Sequence, residues 1–138
     1  DRSQVGMDKA QRLAAEKGVE IQTICADLAD FDLGQARWDA IVSIFGHVPP
    51  GVRHTVYGSL HAALKPGGVL LLEAYTPDQL GRGTGGPRTA DLLLTADMLR
   101  AEIPGLDFLY LEELEREVIE GTGHTGLSSV VQLIARKP

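Results

Sequence analysis

Cysteine is almost missing from this chain: Cys25 is the only one among 138 residues. A lone thiol excludes an internal disulfide and fits a reducing compartment, so the cytoplasm is the expected location. Within the apolar run around Ile24 it reads as core filling rather than as a nucleophile. No apolar run approaches the length needed to span a bilayer, and no signal-peptide pattern stands at the front; no membrane partner is expected. Positive charge is in deficit as well. Thirteen Lys and Arg against nineteen Asp and Glu give a formal net charge of -6, which argues against a general electrostatic grip on nucleic acid. The four histidines are scattered, with no Cys or acid partners at ligand spacing, so no metal site is read. Internal repeats and low-complexity tails are absent too.

What is present suits an ordinary globular domain. Hydrophobic residues are 43% and charged residues 23%, and the length fits one domain over residues 1–138. The organising stretch is Trp38–Pro50, WDAIVSIFGHVPP. Its short, β-branched apolar run ends at Gly46, His47 and two prolines, and reads as a strand buried on both faces. Such strands belong to parallel sheets, whose ligands bind outside the carboxyl ends. Phe45, Gly46, His47 and Val48 then form the rim of a site.

Before that strand, Ser3 is placed to cap a helix over about Gln4–Lys17 that stops at Gly18. Val19–Ala26 reads as a further strand, followed by a polar loop. After it, Pro49 and Pro50 start a helix, with Val52, Val56, Leu60 and Leu64 on one face. The LKPGG punctuation, Leu64–Gly68, leads into the apolar strand Val69–Tyr75, completing a βαβ unit. Thr76–Thr89 has no periodicity and reads as an exposed, mobile loop or lid. Thr95 caps a short helix that Pro104 ends. Leu106–Ile119 and Leu127–Ala135, joined through Gly121 and Gly123, predict a terminal antiparallel hairpin. The glutamates of the first arm, Glu113, Glu115 and Glu117, share one face and read as solvated.

Asp1-Arg2-Ser3 opening a helix, Ala26-Asp27-Leu28 after the next strand, WDAIVSIFGHV, the LKPGG turn and the hairpin EREVIEGTGHTGLSSVVQLIARKP together resemble a class I S-adenosylmethionine-dependent methyltransferase. The hairpin is most similar to small bacterial members of the tellurite-resistance and thiopurine-methyltransferase-like group. The resemblance implies an α/β, Rossmann-like methyltransferase sheet, mostly parallel with a C-terminal antiparallel hairpin. It also implies that the first βαβ portion, with its central strand and glycine-rich loop, is missing from a truncated chain. A homo-oligomer or a complementing N-terminal segment is then the expected macromolecular partner, since the gap would expose sheet edges.

By the same resemblance, S-adenosylmethionine is the cofactor and a small molecule the methyl acceptor. Asp1 would accept from the ribose hydroxyls, Arg2 would pack beside the adenine, and Asp27 would accept the adenine amino group beside Ala26 and the Leu28 N–H. Ser43 and Phe45 would line the methionine end. His47 would be the catalytic base for an oxygen or nitrogen acceptor, and Tyr75, Arg82 and His124 would touch the acceptor. Each residue has a plainer alternative. Asp1 reads equally as a solvated terminal residue, Asp27 as a turn former, and His47 as a local hydrogen-bonding group beside the Pro-Pro turn. Two other functions fit the pattern: a nucleotide-cofactor oxidoreductase of NAD type, in which Asp1 again reads a ribose, and a non-catalytic fragment that needs a partner segment.

Overall fold

A computed structural model describes all residues, Asp1–Pro138. They form two compact units, Asp1–Asp32 and Leu33–Pro138.

In the first unit, helix α1 spans Gln4–Lys17. The Ser3 hydroxyl accepts from Gly6 N–H at 3.0 Å, and Gly18 ends the helix at φ 66°, a left-handed conformation that glycine adopts without a Cβ penalty. Both boundaries match the sequence expectation. The strand expected over Val19–Ala26 does not form. A strand exists only by pairing with another strand, and the backbone of this stretch instead bonds to the helix end and to the residue ahead of the helix: Val19 N–H donates to Ala14 O at 3.0 Å and Ala26 N–H to Asp1 O at 2.9 Å, and the Asp1 amino group reaches Ile24 O at 3.4 Å. Cys25 is exposed, its Sγ 3.5 Å from Arg2 O. The expectation that it fills a core is therefore corrected: without a sheet here there is no core for it to fill.

The second unit is a four-stranded sheet with helices. Strand β1 is Trp38–Ile44, helix α2 Pro50–Ala63, strand β2 Leu64–Tyr75, helix α3 Ala96–Glu102, and strands β3 and β4 are Asp107–Ile119 and Thr125–Arg136. The sheet order is β1-β2-β4-β3. β1 runs parallel to β2, while β4 is antiparallel to both neighbours. The α/β sheet with a terminal hairpin is as expected, but only one of its three pairings is parallel, because the Val19–Ala26 stretch contributes no strand.

One sheet face carries the core. Leu70, Leu72, Ala74, Val131, Leu133 and Ala135 pack with Tyr57, Leu60, Leu99 and Ile103, each fully buried aliphatic chain contributing about 1.5–3 kcal/mol. Arg53, only 4% exposed, lies on the buried side of α2. Its guanidinium donates to both Glu102 oxygens at 2.7 and 2.9 Å and to Asp91 O at 3.1 Å, which ties α2 to α3 and to the short turn of 3-10 helix at Ala90–Leu92.

The opposite face is open. Val42 is 61% and Ile44 51% exposed, so β1 is not the doubly buried strand its sequence suggests. It is an edge strand, paired on one side only. No helix of the chain is long and apolar enough to cross a membrane.

Candidate active site

The first unit gathers five of the expected cofactor residues. The backbone bonds between Asp1 and Ile24–Ala26 set Asp1, Arg2, Ala26, Asp27 and Leu28 side by side. Each acid is held by its own turn: Asp1 Oδ1 accepts Ser3 N–H at 2.8 Å and Asp27 Oδ1 accepts Ala29 N–H at 3.0 Å. Such Asx turns leave the second carboxylate oxygen for another donor. At Asp27 that oxygen meets the exposed Arg2 guanidinium at 3.4 Å, a separation too loose and too wet to hold strongly.

In the second unit, the rim expected at the end of β1 is present. Phe45 N–H donates to Glu73 O at 2.8 Å, and Phe45 then turns to φ 51°. A non-glycine residue there is strained, a condition that clusters at functional sites. His47 N–H closes the turn on Phe45 O at 3.0 Å. A Cβ on Gly46 would stand 3.0 Å from Ser43 Oγ, so glycine lets the backbone fold onto Ser43. The Phe45 ring stacks on Tyr75 with centroids 4.5 Å apart, and the His47 ring lies 5.6 Å from Tyr75, nearly parallel.

His47 spends both ring nitrogens. Nδ1–H donates to Leu92 O at 2.7 Å, and Nε2 accepts the Tyr75 N–H at 3.2 Å. Burial lowers its pKa, only partly opposed by the Leu92 bond. The expectation of a general base is corrected on geometry: the lone pair that would take a proton is occupied. His47 instead clasps the ends of β1 and β2 to the Leu92 segment.

The residues expected at the acceptor fare differently. Tyr75 is 1% exposed, so it supports the rim from beneath; its hydroxyl is buried without a partner, and burial raises its pKa. Arg82 is spent on Glu115, at 2.5 Å, and on Asp78 O at 2.7 Å, which leaves Glu115 paired rather than simply solvated. His124 stands at the tip of the β3–β4 hairpin, facing a cleft.

The loop Thr76–Thr89 is not the free lid its composition suggests. Gln79, which sequence reasoning passed over, is buried and pins it. Its amide nitrogen donates to Thr84 Oγ1 at 2.9 Å and Gly85 O at 3.0 Å, and its oxygen accepts Ser129 N–H at 2.9 Å. Thr76 Oγ1 meets Ser129 Oγ at 2.6 Å. The one legible hint was Pro77 followed by a polar residue ahead of Leu80, the outline of a short helical turn.

A family model described as a methyltransferase domain matches residues 1–68 of the 138. No curated protein matches the chain. Among solved structures, TehB from Haemophilus influenzae superposes with a TM-score of 0.74 at 18% identity, over 100% of this chain and 48% of that one. A SAM-dependent methyltransferase from Methanosarcina mazei gives 0.72 at 16% identity, over 99% and 79%. The [4+2]-cyclase SpnF gives 0.69 at 18% identity, over 99% and 64%. The chain thus spans about half of TehB and less than two thirds of SpnF. The fold is Rossmann-like, of the methyltransferase type, and SpnF is named a [4+2]-cyclase on a similar fold, so the chemistry follows from the site and not from the fold.

Proposed function

We propose that this chain belongs to the S-adenosylmethionine-dependent methyltransferases and contributes to methyl transfer onto a small-molecule acceptor. The observation that carries the reading is the pair of turn-held carboxylates: Asp1 keeps its second oxygen open, and that of Asp27 faces only the exposed Arg2 guanidinium at 3.4 Å. Acceptor-only groups of this kind match a ribose diol and an adenine amino group, which are both donors. The match of residues 1–68 to a methyltransferase family supports the same assignment. The resemblance to the tellurite-resistance and thiopurine-methyltransferase-like group also belongs to this proposal, as does the cytoplasmic location.

In this reading Asp1 holds the ribose and Asp27 the adenine amino group, with Ala26 and the Leu28 N–H at the adenine edge and Arg2 beside it. Ser43 and Phe45 line the methionine end. S-adenosylmethionine, when bound, supplies the electrophilic methyl carbon and its leaving group. The chain's residues supply alignment and exclusion of water. Phe45, Tyr75 and His47 make a packed aromatic floor at the strand ends, and the strained Phe45 turn holds it in place. Since His47 has no free lone pair, the acceptor that fits needs no general base, as with a thiolate or a reduced chalcogen.

Incubation with S-adenosylmethionine and dithiothreitol, read by mass spectrometry for S-adenosylhomocysteine, tests this. Enzyme-dependent product, lost in Asp27→Ala, is the expected result. A folded protein that forms none contradicts the proposal.

A further inference from the structure

The cleft of about 480 Å³ between the glycine-bearing loop and the hairpin tip is lined by Gln79, Gly81, Gly83, Gly86, Arg88 and His124 among others, and by no Asp or Glu. In a chain of net charge -6, a concave site with only basic ionisable residues is a local feature, not a reflection of overall charge. Of the basic residues near it, Arg82 is already paired with Glu115. The Arg88 guanidinium and the His124 ring have no hydrogen-bond or ion-pair partner in the chain. Both are donors, and imidazole keeps an N–H in either charge state.

The backbone adds more donors. Gly81, Gly83, Gly85 and Gly86 all have positive φ, from 74° to 114°, and none of their N–H groups finds an acceptor in the chain. Gly85 and Gly86 are adjacent, and successive unpaired backbone N–H groups in turn conformations form concavities that take anions. This loop is also held in shape. Thr84 Oγ1 lies 3.0 Å from Ser128 Oγ and 3.2 Å from Leu127 O, in addition to the Gln79 bonds. A Cβ on Gly85 would come within 2.4 Å of His124 Cδ2, so the missing side chain is what lets His124 lie over the loop.

We propose that this cleft binds an anionic group, a carboxylate or a phosphate, carried by the methyl acceptor, with the Arg88 guanidinium as its charged contact and the His124 ring N–H as a further donor. The inference rests on the methyl-transfer reading and narrows its acceptor class. A bidentate Arg–oxyanion contact supplies orientation as well as affinity, and the glycine N–H groups reach the remaining oxygens.

The test is a two-dimensional ¹H–¹⁵N NMR titration of the full chain with inorganic phosphate and, separately, acetate, against chloride at constant ionic strength. Saturable shifts at Gly81, Gly83, Gly85, Gly86 and His124 are expected, with the stronger probe naming the anion. Arg88→Gln, at an exposed position, weakens the response at least tenfold, while Arg100→Gln on α3 leaves it unchanged. Absence of shifts with both probes, or an unchanged response in Arg88→Gln, overturns the inference. S-adenosylhomocysteine binding by the same samples separates the two claims. A responsive cleft without cofactor binding removes the methyl-transfer reading and leaves the anion site; cofactor binding with a silent cleft does the reverse.

Discussion

At the scale of single residues, His47 shows how a side chain that looks catalytic becomes structural. It donates to Leu92 O and accepts from Tyr75 N–H, an arrangement only the neutral imidazole satisfies. Its pKa is lowered from 6.5, chiefly by burial. Below the unfolded value the unfolded chain takes up a proton that the folded chain resists, so stability is full above about pH 6.5 and falls as pH drops toward the lowered folded value. Urea unfolding between pH 5 and 7.5 therefore shows stability declining toward acid, and His47→Gln flattens that slope; an equal slope in both proteins contradicts the assignment. The same variant leaves the Tyr75 N–H poorly paired and costs about 1–3 kcal/mol at neutral pH. The sequence placed His47 at a strand end beside a Pro-Pro turn. It was silent on Leu92, 45 residues away, because a contact between distant segments leaves no periodic trace. The turn at Asp27 is local by contrast, its carboxylate accepting the N–H two residues on, which is the turn-former reading that residue type suggests.

Elements were legible where their signals are local. Ser3 and Gly18 bound α1, Thr95 caps α3 through the Met98 N–H, and the glycine-bearing connection gave the β3–β4 hairpin. The Val19–Ala26 strand was misread because alternation specifies a face, whereas a strand also needs a neighbour. The Thr76–Thr89 loop was misread because its anchor is the single buried amide of Gln79. In the LKPGG stretch, Gly68 is the residue that lets β2 pass β1: a Cβ there would stand 2.8 Å from Lys65 O and 3.1 Å from Trp38 O. Backbone cannot yield as a side chain can, so Gly68→Ala is expected to lose about 1–3 kcal/mol in chemical denaturation. The exposed Gly58, with open space around it, takes alanine without loss and serves as the control. Arg53→Met breaks the bond to Glu102 and strands a partly buried carboxylate, at a cost of about 3 kcal/mol. The double variant Arg53→Met with Glu102→Leu recovers part of it, and failure to recover any refutes the pairing as the cause.

For the molecule as a whole, the open sheet face is the main departure from the sequence reading. Val42, Ile44, Leu71, Tyr110 and Ile134 remain exposed, although the β1 and β2 segments read as buried apolar runs; a one-dimensional run does not say how many layers cover it. Contiguous apolar surface of this kind binds hydrophobic dyes, so the protein is expected to enhance anilinonaphthalene-sulfonate fluorescence at neutral pH, and Val42→Thr with Ile44→Thr to reduce it. An unchanged signal in that variant places the dye elsewhere. The acids that define the proposed cofactor contacts belong to one compact unit and the aromatic floor at the strand ends to the other. The most direct test is calorimetric titration of S-adenosylhomocysteine into the folded chain, with NADH as the control. The account predicts saturable binding of the homocysteine compound alone, weakened by about 2 kcal/mol, on the order of 30-fold, in Asp27→Ala. Absence of binding by a folded sample, or equal binding of NADH, contradicts it.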